Sequence, residues 1–101
     1  MLTKRIEELK SHPLNEKLYG KEELPESFLT SIRTRGILVP LIIKPNGTII
    51  SGHRRWKAAK IVGMKVVPVQ EVEYQSDLDE REAIIDFNRQ REVGAGVIEA
   101  F

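Results

Sequence analysis

The sequence predicts a small α/β domain of the α+β kind, a mixed β-sheet that contains a β-hairpin and carries about three helices. Three features predict it. Two apolar, β-branched runs, 39–44 and 48–51, flank Pro45-Asn46-Gly47, and Asn-Gly supplies the positive φ angles of a tight hairpin turn. Two stretches with helical spacing are closed by glycine, one from Pro25 to Gly36 and one from Gly52 to Gly63. A short apolar run, Val66-Val67-Pro68-Val69, separates the second of these from a last helical stretch.

Ile6 and Leu9, within Arg5 to Lys10, have a spacing that suits either a short strand or a helical turn. His12-Pro13-Leu14-Asn15 is expected to break any regular element, because the residue before a proline avoids helical backbone angles. Pro25-Glu26 followed by Phe28, Leu29 and Ile32 predicts an amphipathic helix with proline near its start and Gly36 just past its end. After the hairpin, Gly52 opens a helix whose Trp56, Ala59, Ile61 and Val62 are expected to form the buried stripe. Trp56 is read there as core. In the strand at 66–69, Pro68 is tolerated only where its missing N–H faces away from a ladder partner. Asp79 to Glu92 carries Ala83, Ile84 and Phe87 at helical spacing, with Ser76 or Asp77 placed to cap its start.

A chain of 101 residues, 41% hydrophobic and 31% charged, supports one core and excludes a second domain. It has no cysteine, which excludes a disulfide scaffold, a thiol nucleophile and cysteine-ligated metal. No apolar run approaches the roughly 18 residues of a membrane span, and the first residues lack the segment of a signal peptide. A cytoplasmic protein with no membrane partner is expected. Sixteen basic against fifteen acidic side chains give a net charge of +1, so any functional charge must be local. Every formal charge from His53 to Lys65 is positive (Arg54, Arg55, Lys57, Lys60, Lys65), whereas acids dominate from Glu71 to Asp86, with Arg81 as the sole base. The basic stretch either attracts an anion or is one solvated face of a helix.

The join between Ile49-Ile50-Ser51 and the helix at Gly52 is the first candidate site. A glycine between strand and helix lets the backbone approach a ligand closely, and the first-turn N–H groups face outward with partial positive charge. Arg54 and Arg55 lie in the same turn and can donate paired hydrogen bonds to phosphate oxygens. Ser51 either adds a hydroxyl donor or caps the helix, and His53 either hydrogen-bonds within the turn or touches a phosphate. The alternative for the whole turn is an ordinary capped helix. A second candidate is the end of the last helix, Asp86-Phe87-Asn88-Arg89-Gln90-Arg91-Glu92, where Asn88 and Arg91 share a face. It suits either an oxygen-ligated Mg²⁺ shared with substrate phosphates or a polar, exposed helix end.

Gly36-Ile37-Leu38-Val39-Pro40-Leu41-Ile42-Ile43, then Gly47-Thr48-Ile49-Ile50-Ser51-Gly52-His53-Arg54-Arg55-Trp56-Lys57-Ala58-Ala59, then Gly63 and Val67-Pro68-Val69, resemble the ParB N-terminal domain of the ParB/sulfiredoxin superfamily. The likeness extends upstream to Leu9 and downstream to Glu92. It implies a domain over 1–92 followed by a tail over 93–101. In partition proteins of this family the domain binds and slowly hydrolyses CTP with Mg²⁺, and binding closes a DNA clamp. The resemblance implies that Gly52, Arg54 and Arg55 hold the triphosphate, within the family's Gly-Glu-Arg-Arg motif. His53 stands where partition proteins have a glutamate associated with hydrolysis. The family's Glu-Asn-x-Gln-Arg motif resembles Phe87-Asn88-Arg89-Gln90-Arg91, which makes Asn88, with Asp86 nearby, the metal ligand and adds Arg89 and Arg91 to the phosphate contacts. Val39 and Pro40 resemble the loop that meets the base or sugar.

The leading expectation is thus a nucleoside-triphosphate-binding switch, for CTP or ATP with Mg²⁺, in DNA-associated partition or regulation, with DNA and a second copy of the chain as partners. Two alternatives stand beside it. One is a metal-dependent ParB-like nuclease using Asp77, Asp79, Glu80, Glu82 and Asp86; the other is a non-catalytic module that contacts DNA phosphates through Arg54, Arg55, Lys57, Lys60 and Lys65. Sulfiredoxin activity is excluded, because it needs a cysteine. The helix-turn-helix and dimerisation domains of partition proteins do not fit in 101 residues, which implies a stand-alone module or a piece of a longer protein.

Overall fold

A computed structural model describes residues 2–19 and 23–93, and among them the side chains of 2–17 and 23–87. The elements are β1 (Thr3–Arg5), a 3₁₀ turn (Ile6–Glu8), α1 (Pro13–Tyr19), α2 (Glu26–Arg35), β2 (Leu41–Ile43), β3 (Ile49–Ser51), α3 (His53–Val62), β4 (Val66–Glu71) and α4 (Asp77–Val93). Arg5 to Lys10 takes both of its expected conformations in turn, strand and then 3₁₀ turn.

The segment at His12 corrects the expected break: Pro13 opens α1 instead of interrupting the chain. A proline at the first helical position lacks only an N–H that would have no intrahelical partner anyway. His12 caps this helix. Its carbonyl accepts the Glu16 N–H at 3.1 Å, and its imidazole Nδ1 accepts the Leu14 N–H at 3.0 Å. The described residues therefore hold four α-helices where about three were expected.

The sheet is mixed, with strand order β1-β4-β2-β3. β2 and β3 form the expected antiparallel hairpin, with a bulge between Ile42 and Ile43. β4 runs parallel to β2 and antiparallel to β1, so α3 is the crossover that carries the chain from the hairpin to the centre of the sheet. Pro68 sits in that central strand. The Val69 N–H donates to the Leu2 carbonyl at 2.9 Å, so alternation turns the Pro68 nitrogen toward the opposite edge. There β2 begins only at Leu41, level with Val69, and no ladder bond is lost.

The outer edge of β3 is covered by the chain after the 3₁₀ turn: Lys10 N–H donates to Gly47 O at 3.0 Å and Ile49 N–H donates to Lys10 O at 2.9 Å. Gly47 is needed for this seal, because its φ is +91° and a Cβ there would stand 2.5 Å from the Glu8 carbonyl oxygen.

Leu9, Leu41, Ile43, Ile49, Trp56, Ala59, Val67 and Val69 form the core between sheet and α3, and Leu29, Ile32 and Ala58 join α2 to the other flank of α3. Ile61 corrects the expected stripe, being 61% exposed. It stands roughly 140° from Trp56 around the helix, outside the arc that faces the sheet and α2; Ala58 is buried instead. Trp56 is core as expected, and its Nε1–H donates to the Ile6 carbonyl at 3.3 Å. α4 starts where the sequence suggests, with Ser76 Oγ accepting the Asp79 N–H at 3.1 Å, and Ile84 is its buried anchor. Of the expected tail over 93–101, Val93 is the last residue of α4 and the remainder lies outside the described residues.

Candidate functional site

β3 ends at Ser51 and α3 begins at His53, which leaves Gly52 alone to turn the chain. Its φ is +105°, and a Cβ at this position would lie 2.7 Å from Leu41 Cγ and 3.2 Å from Arg55 Nη2. The turn is accessible only to glycine, through backbone angles and space alike. The first bond within α3 runs from the Trp56 N–H to the Gly52 carbonyl at 2.9 Å, so the N–H groups of residues 53–55 precede the helical ladder. No side chain caps Gly52. Ser51 is the last residue of β3, paired with Ile42, which corrects its reading as the helix cap and leaves its hydroxyl beside the turn.

The three side chains that follow point to different surroundings. Arg54 lies over the Phe28 ring of α2, 5.0 Å from its centroid. Arg55 turns toward the loop before β2, where Nη1 donates to the carbonyl oxygens of Val39 and Pro40, the latter at 3.3 Å. Burial pulls its pKa below the ordinary guanidinium value, and among the described residues no carboxylate pairs with it. The expected phosphate turn and the expected base loop are thus held together by one cation. Val39 is 46% exposed and Leu38 63%, so the loop presents apolar surface beside the guanidinium.

His53 turns inward and is 7% exposed. Its Nε2 accepts the backbone N–H of His12 at 3.2 Å. Burial first, then Lys57 and His12, push its pKa down to about 4 against the opposing pull of Glu16. Its imidazole is neutral at physiological pH and belongs to the interior.

Across α1, the hairpin and α4 lies a group that the sequence did not reveal. His12 Nε2 is 2.5 Å from Glu80 Oε2, and Lys44 Nζ is 2.8 Å from Glu80 Oε1. Burial of the Glu80 carboxyl opposes ionisation, but the hydrogen bonds from Lys44 and His12 outweigh it and hold its pKa below the usual value. These residues line a cleft of about 530 Å³ together with Thr48, Lys17 and Arg81. His12 lies 41 positions from His53 and 68 from Glu80 in the chain, so no local pattern pointed to these contacts.

The basic run does not form one free patch. Lys57 approaches Glu16 at 3.7 Å, and Lys60 Nζ lies 3.7 Å from the Trp56 ring centroid. On α4, Asp77, Asp79, Glu82 and Asp86 are exposed, whereas Glu80 is drawn into the cleft. Among the described residues no three His, Asp or Glu side chains come together as a metal-binding group, so the convergent carboxylates that a nuclease needs are absent from this part of the chain. Asp86 has no cationic partner among the described residues. The side chains of Asn88, Arg89 and Arg91 lie outside the described residues. Among the described residues no helix is long and apolar enough to cross a membrane.

Residues 3–87, which include the glycine turn and Arg55, match the ParB N-terminal domain. The chain belongs to the ParB N-terminal domain family. It is 36% identical over 70 residues to the chromosome-partitioning protein ParB of Caulobacter vibrioides, covering 63% of this chain and 23% of that protein. It is 34% identical over 99 residues to the probable chromosome 1-partitioning protein ParB of Deinococcus radiodurans, covering 87% of this chain and 33% of that protein. The ParB N-terminal domain therefore spans a third or less of these two relatives.

Solved ParB structures agree in fold. A C-terminally truncated ParB from Caulobacter crescentus complexed with CTP-γ-S superposes with a TM-score of 0.72 at 31% identity, over 89% of this chain and 53% of that one. A C-terminally truncated ParB from Caulobacter crescentus complexed to the centromeric parS site gives a TM-score of 0.69 at 29% identity, over 90% of this chain and 48% of that one.

Proposed function

We propose that this ParB N-terminal domain binds a nucleoside triphosphate with Mg²⁺ at the Gly52 turn and serves as a nucleotide-dependent switch in DNA-associated partition. Arg55 carries the reading. A partly buried guanidinium held by two carbonyls and by no carboxylate among the described residues stays charged beside three backbone N–H groups that precede the helical ladder, and such a place favours an anion. The likeness to a ParB complexed with CTP-γ-S makes CTP the first nucleotide to test, ahead of ATP.

In this reading the backbone N–H groups of residues 53–55, the Ser51 hydroxyl and the guanidinium groups of Arg54 and Arg55 receive the phosphates, and Arg89 and Arg91 complete the shell from α4. Gly52 provides the close approach. Val39 and Pro40 meet the base or sugar. His53 contributes its N–H rather than its imidazole, which is committed to His12. Mg²⁺ would supply charge neutralisation to the phosphates, and the exposed carboxylate of Asp86, with Asn88 two residues on, would hold it. A ligand that touches both the turn and α4 favours the arrangement in which they are docked, and that differential affinity is what makes a switch. DNA, reached directly or through a further domain, and a second copy of the chain are the macromolecular partners in this reading; a relative complexed to the parS site supports the first.

Calorimetric and thermal-shift titration with CTP, ATP, GTP and UTP, each with and without Mg²⁺, tests it. Saturable binding of one nucleotide, weakened at least tenfold by Arg55→Ala through loss of charge-assisted hydrogen bonds, is expected. No response to any of the four overturns the reading.

A further inference from the structure

We infer that His12 and Glu80 are positioning residues for the Gly52 turn, linking the docking of α4 to the first turn of α3 through a continuous hydrogen-bonded chain. The inference rests on the nucleotide reading for its functional meaning, not for its geometry. The chain runs from Lys44 on the hairpin to Glu80 on α4, from Glu80 to the His12 imidazole at the head of α1, and from the His12 backbone N–H to Nε2 of His53, the first residue of α3.

Each link has a defined direction. His12 Nδ1 accepts the Leu14 N–H, so its proton sits on Nε2 and is donated to Glu80. His53 Nε2 accepts, so its proton sits on Nδ1. Three of the members are nearly enclosed: His12 is 8% and His53 7% exposed, and the Glu80 side chain is 12% exposed. In such surroundings an unmade hydrogen bond is costly, and one displaced member disturbs the next. If α4 moves away, the His12 Nε2–H and the Lys44 ammonium both lose their acceptor. The His12 backbone then no longer holds His53 in place, and His53 is two residues from Arg55. Coupling of this kind is reciprocal, so a ligand that fixes the turn also favours docked α4.

Glu80→Gln tests the chain, because it keeps the shape of the side chain but presents an amide to Lys44 or His12. The readouts are amide hydrogen exchange and histidine ¹⁵N NMR of the nucleotide-free protein, followed by titration with CTP and Mg²⁺. The expected result is faster exchange in α4 together with about tenfold faster exchange of the α3 first-turn amides. The His53 ¹⁵N resonances shift although Glu80 does not touch His53, and CTP affinity falls about tenfold. Glu82→Gln, at an exposed position of α4 outside the cleft, leaves all of these unchanged. Faster exchange confined to α4, with the α3 turn and His53 unaltered, overturns the inference. If Glu80→Gln fails to fold, His12→Asn takes its place, since it retains a cap acceptor for Leu14 and removes the bond to Glu80. A wild-type domain that binds no nucleotide overturns the nucleotide reading alone; the exchange and ¹⁵N results then still decide whether the chain of contacts exists.

Discussion

The two flanks of α3 handle charge in opposite ways. On the Gly52 side, Arg55 is held by the carbonyls of Val39 and Pro40 and by no described carboxylate, so no described anion matches its charge. On the α1–α4 side, Glu80 is clamped between Lys44 and His12, and the charges are internally matched. Desolvation explains why the difference matters. A partly buried ion with only dipoles around it is stabilised further by an arriving counter-ion, whereas a matched group gains little and is harmed by the loss of one member. In the proposed reading the first flank is the binding site, and in the further inference the second is its joint.

The largest expected effect comes from Gly52→Ala, which breaks the binding flank at its backbone. The substitution meets a positive φ and the enclosed Leu41 side chain together, and is expected to cost about 3 kcal/mol and abolish any nucleotide response. Urea unfolding and calorimetry check both parts. Next comes pH, acting through the residue between the flanks. His53 has a folded pKa of about 4 against the ordinary histidine value of 6.5, so the unfolded chain binds more protons in that window. Stability is full above pH 6.5 and falls by about 3 kcal/mol as pH drops through 4. Unfolding midpoints between pH 4 and 8 should show this slope, and His53→Gln should flatten it.

A matched pair of variants then sharpens the contrast directly. Glu80→Ala leaves the His12 Nε2–H and Lys44 without their acceptor and is expected to cost about 2 kcal/mol. Arg55→Met removes an unmatched cation and is expected to leave stability unchanged or raise it by about 1 kcal/mol, while nucleotide affinity falls at least tenfold. Equal destabilisation by both variants would remove the distinction between the flanks. The smallest effect is a control: Glu8→Ala breaks the exposed pairing with Arg5, 3.0 Å long, and no measurable shift of the unfolding midpoint is expected, because water and salt screen such pairs.

The hairpin, α2, α3 and α4 were legible because each rests on local signals: Asn46-Gly47 for the turn, Gly36 and Gly63 past the helix ends, Ser76 as a cap. α1 was missed because its cap is an imidazole, outside the usual capping residues, and because Pro13 reads equally as a break or a first helical residue. Ile61 was misassigned because helical spacing fixes which residues share a face but not how wide the buried arc is. Of the candidate site, the glycine turn and its arginines were visible as a pattern. The direction of each side chain was not: Arg54 goes to Phe28, Arg55 to Val39 and Pro40, and His53 inward. Those choices follow from which elements pack on α3, and the packing elements are far apart in the chain.

The sequence by itself determined the α+β class, the strand-to-helix glycine, the absence of thiol chemistry and the family, because these depend on residue type and short-range spacing. Only the tertiary structure decided that β4 lies in the middle of the sheet and that Arg55 ties the turn to the loop before β2. It alone also joined His12, His53, Lys44 and Glu80. The physical reason is that hydrogen bonds and charge pairs are made between atoms a few ångströms apart, and here that nearness comes from a crossover helix and a buried strand that bring distant segments together.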